Sequence, residues 1–190
     1  MRWFVREGIK EQIMGDTKNL ISDEAIEKIK HLAESANTCH FVTALTKLPL
    51  STRPMATQKV DEDGSLWFMS DKNSSKNHEI QNDNRVQLFY SNQSSYEYLS
   101  ISGTAEIIFD KKLIDEMWSS IAKAWFTEGK DDPAISLVKV TPEEGYYWDT
   151  KNNKMISLIK IAAAAVTGKT MDGGVEGKLN ILPFCKAIAS

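Results

Sequence analysis

The chain has 190 residues, 42% hydrophobic and 26% charged, which is the composition of one ordinary soluble domain. Its net charge of −3 argues against nucleic acid or an anionic membrane surface as the main partner. Two cysteines, Cys39 and Cys185, lie far apart without framework spacing, which implies a reducing, cytoplasmic compartment.

Residues 1–20 read as an N-terminal accessory segment, helical on the apolar contacts Trp3, Phe4, Ile9 and Ile13. Charges at Arg2, Arg6, Glu7, Lys10 and Glu11 interrupt any signal-peptide core. A domain over residues 21–150 follows. Ser22 caps a helix with Asp23 and Glu24 in its first turn and a stripe of Ile26, Ile29, Leu32, Ala33 and Ala36. Residues 39–46 form a strand, and 48–52 a loop containing Pro49. Met55, Thr57 and Lys59 alternate with Ala56, Gln58 and Val60 on a second strand. Asp61-Glu62-Asp63-Gly64 turns the chain, with Gly64 free to take positive φ, into an aromatic-rich strand over 65–70. Ser74 or Ser75 caps a short helix. Strands over 86–91 and 96–109 follow, the longer one bent at Gly103.

A helix over 111–126 buries Leu113, Ile114, Met117, Trp118, Ile121 and Trp125, and the Gly129–Pro133 run breaks it. Two closing strands, 135–140 and 145–149, flank Pro142. Residues 151–190 are a helical and loop extension. Met155, Leu158, Ile159 and Ala162 recur at helical spacing, Gly168 is the C-cap, and Gly173, Gly174 and Gly177 mark a loop. The apolar run 161–166 is too short to span a bilayer. Six strands joined mostly by short turns, with helices at the margins, give an α+β fold built on a small antiparallel barrel.

The chemistry concentrates between residues 52 and 80. Arg53 opens one strand, and Lys76 stands in the first turn of the helix behind Ser74-Ser75. A helix N-terminus favours a phosphate, and Lys76 adds a full charge there. On spacing alone, a capped surface helix with a solvated lysine is the better reading. His31, His40 and His78 are scattered, and no metal site is expected. Gly168-Lys169-Thr170 lacks the earlier glycine of a phosphate loop, since Ala163 stands there.

The order of these parts resembles the flavin mononucleotide (FMN) site of the split-barrel superfamily of pyridoxamine 5'-phosphate oxidase, and most of all its general stress protein branch. The run 53–58 is similar to that family's first site strand. Phe68-Met69-Ser70-Asp71 is similar to its aromatic pair followed by Thr-Asn, and the run 74–80 (SSKNHEI) to its S-R-K-A-x-Q-I loop. Asn82–Val86 and Gly103–Glu106 fall in register with later family motifs.

The resemblance implies a six-stranded split barrel and a homodimer with FMN at the subunit interface. It implies cofactor contacts from Arg53, Pro54, Met55, Ala56, Thr57, Met69, Ser70, Ser75 and Lys76. Trp148 is read equally as an aromatic wall of the flavin site and as a core or interface aromatic. Departures from the family pattern matter. Ser75 replaces a phosphate-binding arginine, Gln58 replaces a substrate-phosphate lysine, and two downstream substrate motifs are missing. A genuine pyridoxamine 5'-phosphate oxidase is therefore not expected. Three readings stay open: a flavin-dependent oxidoreductase of unassigned substrate, a non-catalytic flavin-sequestering protein, and a split barrel holding deazaflavin or haem. No general acid or base is nominated.

Overall fold

In the computed structural model, residues 16–119, 122–126, 128–150 and 174–181 are described. Short strands β1 (Asp16–Thr17) and β2 (Leu20–Ile21) precede α1 (Asp23–Ala36). Then come β3 (Thr38–Thr43), β4 (Ser51–Val60), β5 (Leu66–Asp71), α2 (Ser75–Asn82), β6 (Arg85–Asn92) and β7 (Glu97–Ile108). The chain ends its described course with α3 (Lys111–Met117), β8 (Ile135–Thr150) and β9 (Gly174–Asn180).

Strands β8-β5-β4-β3-β6-β7 lie side by side, and β7 pairs back to β8, closing a six-stranded barrel of antiparallel pairs. This is the expected α+β split barrel. Closure removes the exposed edges that an open sheet of this size would carry. Phe41, Phe68, Leu66, Leu88, Leu99, Ile101, Val138 and Val140 alternate inward and are fully buried. α1 packs on β4, β6 and β7, and buries Ala25, Ile26, Ile29, Leu32 and Ala33 from its apolar stripe. A second cluster of Trp67, Ile114, Phe126, Ile135 and Leu137 lies under α3. Gly64 takes φ +82° in the β4–β5 turn, as its place after three acidic residues suggested.

Several elements differ from expectation. The helix read over 111–126 stops at Met117, and Ala122–Ala124 forms only a single 3₁₀ turn. Trp125, counted in the buried face, is 80% exposed. The run Trp118–Phe126 is apolar enough to mimic a helix stripe, but Trp118 instead turns onto Phe126, their ring centroids 6.5 Å apart. The two closing strands are one, because β8 runs through Pro142 while a register shift opposite Ser102/Gly103 absorbs the irregularity.

The glycine-rich stretch read as a loop contributes a strand from Gly174 onward. β9 pairs with β8 from Glu144 to Thr150, and β1 and β2 pair with β9 in parallel. Asp16, Thr17 and Leu20, read within the helical accessory segment, are therefore in strands. The helix read at 155–168 and the contacts of Trp3, Phe4, Ile9 and Ile13 lie outside the described residues.

Gly177 explains why a glycine-rich run can be a strand here. A Cβ at this position would stand 2.0 Å from the carbonyl oxygen of Lys18. The crossing between β1 and β2 thus rides directly on the β9 backbone. The Tyr147 hydroxyl donates to the same Lys18 carbonyl at 2.8 Å. Gly177→Ala is expected to push this crossing away and cost about 1–3 kcal/mol, the scale of overpacking a tight contact. Urea unfolding measures it, and an unchanged midpoint would refute the close approach.

Candidate functional site: a cleft between parted strands

β4 and β5 share only the pairs Thr57↔Phe68, Lys59↔Trp67 and Val60↔Leu66. Toward the other end they part. Residues 51–56 of β4 stay paired with β3, and Met69, Ser70 and Asp71 of β5 stay paired with β8. Among the described residues, no ladder pair joins these two stretches. Their facing edges flank a gap in the ladder, the candidate cleft, with N–H and C=O groups that a sheet would otherwise satisfy.

α2 stands at this cleft on a buried polar network. Asn77, fully buried, donates to the Ser136 hydroxyl at 3.0 Å and accepts from the Ser70 hydroxyl at 2.7 Å. Ser136 in turn donates to the Ser70 carbonyl at 3.0 Å. This ties α2 to β5 and β8 with every member partnered, as burial of an amide requires. Ser74 is the N-cap residue, in extended backbone, but its side chain makes no capping bond. The Asn77 N–H donates back to the Ser74 carbonyl at 3.1 Å, whereas the N–H groups of Ser75 and Lys76, at the first two positions of α2, have no partner inside the helix.

Two cations meet there. The Lys76 ammonium donates to the Ser74 hydroxyl at 3.2 Å. Burial pulls its pKa down, and the positive Arg53 nearby lowers it further, with Asp71 opposing. Arg53 reaches in from β4. Its Nη2 donates to Ser51 Oγ at 2.7 Å and to Glu79 Oε2 at 2.9 Å, and its Nη1 donates to Thr43 Oγ1. Ser51 donates to Glu79 Oε1 at 2.9 Å, and Thr43 donates to Glu79 Oε2. Arg53, Thr43, Ser51 and Glu79 thus form a closed ring joining β3, β4 and α2.

The expected site residues divide by the face of β4 they occupy. Arg53, Met55 and Thr57 share the inner face. Arg53 is opposite the core residue Phe41, Met55 packs on the core, and the Thr57 hydroxyl meets the Tyr90 hydroxyl at 2.8 Å. Pro54 is on the outer face, beside His40 of β3. The Ser70 and Thr57 hydroxyls are committed to Asn77 and Tyr90, the Thr57 N–H donates to the Asn37 carbonyl at 2.9 Å and the Ser70 carbonyl accepts from Ser136, so neither side chain is turned to the cleft. Ser75 is exposed at the first position of α2.

Trp148 lies elsewhere in the chain. It pairs with Tyr98 on the outer face, 43% exposed, beside a depression of about 490 Å³ that also involves His40 and Phe89. Within the chain the fold brings Arg53, Lys76, Ser74 and Ser75 together and leaves Trp148 apart.

Glu79, Thr43, Ser51 and Asn77 were not singled out from the sequence. For Glu79 a signal existed: it follows Lys76 by three residues, so the two share a helix face. Among the described residues, no group of three His, Cys, Asp or Glu side chains is placed to hold a metal ion.

This architecture is that of a split barrel whose parted strand edges stand beside a helix N-terminus. Residues 24–172 match the family described as pyridoxamine 5'-phosphate oxidase like. The chain belongs to that family, and its likeness falls in the general stress protein branch. It is 30% identical to general stress protein 26 of Bacillus subtilis over 83 residues, 42% of this chain and 59% of that one. It is 26% identical to protein bli-3 of Neurospora crassa over 129 residues, 63% of this chain and 62% of the other. The chain thus spans about 60% of the length of these curated relatives. The crystal structure of a candidate general stress protein 26 from Jannaschia sp. CCS1 superposes with TM-score 0.67 at 26% identity, covering 84% of this chain and 96% of that one.

The ring around Glu79 has a pH signature. Burial pushes the Glu79 carboxyl up, but hydrogen bonds from Thr43, Ser51 and Arg53 outweigh it and hold the group below its ordinary 4.5. A carboxyl depressed by folding stabilises the fold above its unfolded value and loses that contribution as pH falls through its folded value. The stability gap between wild type and Glu79→Gln is expected to be full above pH 4.5 and to close below it. Urea midpoints across that range measure the gap, and a gap that widens on acidification would be the wrong sign.

Proposed function

We propose that this protein is an FMN-binding flavoprotein of the general stress type, its cleft holding the mononucleotide at the interface of a homodimer in the cytoplasm. One observation carries the reading. Arg53 and Lys76 converge at an uncapped helix N-terminus, beside strand edges that have lost their partners. Such a site suits a phosphate joined to a flat ring with polar edges. Lys76 and Arg53 neutralise the phosphate, while Ser75 and the first N–H groups of α2 donate to it. The main chain of residues 53–57, with Met69 and Ser70, serves the polar edge of the ring. When bound, the flavin supplies hydride transfer and the protein supplies position and electrostatics.

The reading as a flavin-sequestering protein has its own support. The Gln58 amide turns back onto the Ala56 carbonyl at 3.1 Å, so the position of the family's substrate-phosphate lysine carries no charge. Turnover of reduced nicotinamide or of a vitamin phosphate separates an oxidoreductase from a sequestering protein. The absorbance spectrum of the purified protein, with mass identification of the released ligand, separates flavin from deazaflavin and haem. Support for the cytoplasm comes from Cys39, a buried free thiol whose pKa burial pushes up to about 12. Among the described residues no helix is long and apolar enough to cross a membrane.

Lys76→Ala is expected to weaken FMN binding by about 1.5–3 kcal/mol, the scale of a charge-assisted hydrogen bond, and to spare riboflavin. Equal losses for the two ligands would show that Lys76 does not meet the phosphate.

The homodimer draws support from the outer face. Phe89, Tyr98 and Trp148 stand 45%, 39% and 43% exposed around the depression. Aromatics of this kind are enriched at the centre of interfaces. Tyr147, on the same strand as Trp148, is buried within the chain and unavailable. Trp148 would then meet the flavin of the partner subunit, across an interface on the order of 2,000 Å² or more. Light scattering should give twice the 21.4 kDa chain mass. A monomer that binds FMN tightly would refute both the dimer and the shared site.

A further inference from the structure

The anion end of the cleft carries its own carboxylate. Lys76 and Glu79 project from one face of α2 toward Arg53. With both cations and Glu79 charged, this end holds a net charge of +1 rather than +2. Ser75, where the family has an arginine, adds nothing. Asp71, the other acid felt by Lys76, is exposed on β5, with its Oδ1 accepting from the Asn73 N–H at 2.7 Å.

A flavin phosphate near neutral pH carries about −1.5 to −2 charges. It must share Arg53 with a carboxylate 2.9 Å from the guanidinium, braced by two hydroxyls. Like charges at this range repel even at the effective dielectric of a protein surface.

We propose that Glu79 is a specificity-determining residue: as a fixed counterion to Arg53, it lowers the preference of the cleft for the flavin phosphate and makes the mononucleotide an exchangeable ligand. The inference rests on the FMN reading above and adds a role for that site, namely loading and releasing flavin rather than retaining it. A rival account gives the same ring only a bracing task, docking α2 and aiming Arg53. The two accounts predict opposite signs. Loss of a counterion strengthens phosphate recognition, whereas loss of a brace weakens it.

The test titrates the flavin-free full chain with FMN and with riboflavin, and reads the ratio of the two affinities. Riboflavin lacks the phosphate and controls for folding and ring contacts. Glu79→Gln keeps a side-chain oxygen as acceptor and removes the charge. It is expected to raise the FMN preference about tenfold, the order of one screened unit charge removed, and to slow FMN release on dilution by a similar factor. Ser75→Arg, at an exposed position outside the ring, is expected to raise the preference as well.

Glu79→Asp keeps the charge but shortens the reach, and should leave the ratio within about twofold of wild type if charge is what matters. A preference that rises in Ser75→Arg but is flat or falls in Glu79→Gln overturns the proposal. So does a marked loss in Glu79→Asp, which would make Glu79 a brace. Wild-type protein that saturates with neither flavin overturns the FMN reading and this inference with it. Saturation by FMN with the wrong sign in Glu79→Gln overturns the inference alone.

Discussion

The parting of β4 from β5 after Thr57 and Phe68 is the constraint from which the site follows. A closed antiparallel barrel normally satisfies every backbone group through its neighbours. Here two strands keep only their outer partners for several residues, and the space between them is bordered by α2. The helix cannot settle there by apolar packing alone, since of its eight residues only Asn77 and Ile80 are buried. The Ser70–Asn77–Ser136 network therefore locates α2. Polar networks of this type are costly when half satisfied and position-specific when complete. With α2 placed, Lys76 and Glu79 face Arg53, and the electrostatics of the cleft are set.

The same geometry explains why Arg53 and Lys76 behave differently though both are cations. Arg53 is engaged by three side chains that hold its planar fork in one orientation. Lys76 has one neutral hydroxyl partner and feels both burial and the positive Arg53. An arginine suits the braced position because its donors point in fixed directions. A lysine suits the other because a compact charge on a flexible stem can follow a ligand.

Strand alternation, the acidic turn with Gly64 and the stripe of α1 made most of the barrel legible from sequence, because period-2 and period-3.6 patterns report burial directly. The joint order of Arg53, Met69-Ser70 and Ser74–Lys76 led to the expectation of a site in this part of the chain. Less legible was anything that depends on a neighbour distant in sequence. Trp125 fits a helix stripe and is exposed, because the chain leaves the helix at Trp118. Gly177 looks like a loop residue, and only the Lys18 carbonyl above it shows why glycine stands in a strand. Thr43, Ser51 and Glu79 are unremarkable one by one and gain meaning from the arginine they surround. Ser70 and Thr57 were expected to serve the site, and their hydroxyls turn into the protein, which no local pattern could indicate.

Strand β9 has a consequence for solubility. β8 is sixteen residues long and outruns the barrel, so from Glu144 onward β7 covers only one of its edges. Left bare, the other would be a long ladder of free donors and acceptors carrying Tyr146 and Trp148, the kind of edge on which foreign strands nucleate. β9 caps it over seven residues, and beyond β9 the sheet continues, among the described residues, only as the two-residue pieces β1 and β2. Pieces that short, with Asp16 and Lys18 among them, template little further growth. The strand from the C-terminal extension and its N-terminal neighbours thus act as a guard against aggregation, and a chain cut back to the barrel alone would have to be made soluble some other way.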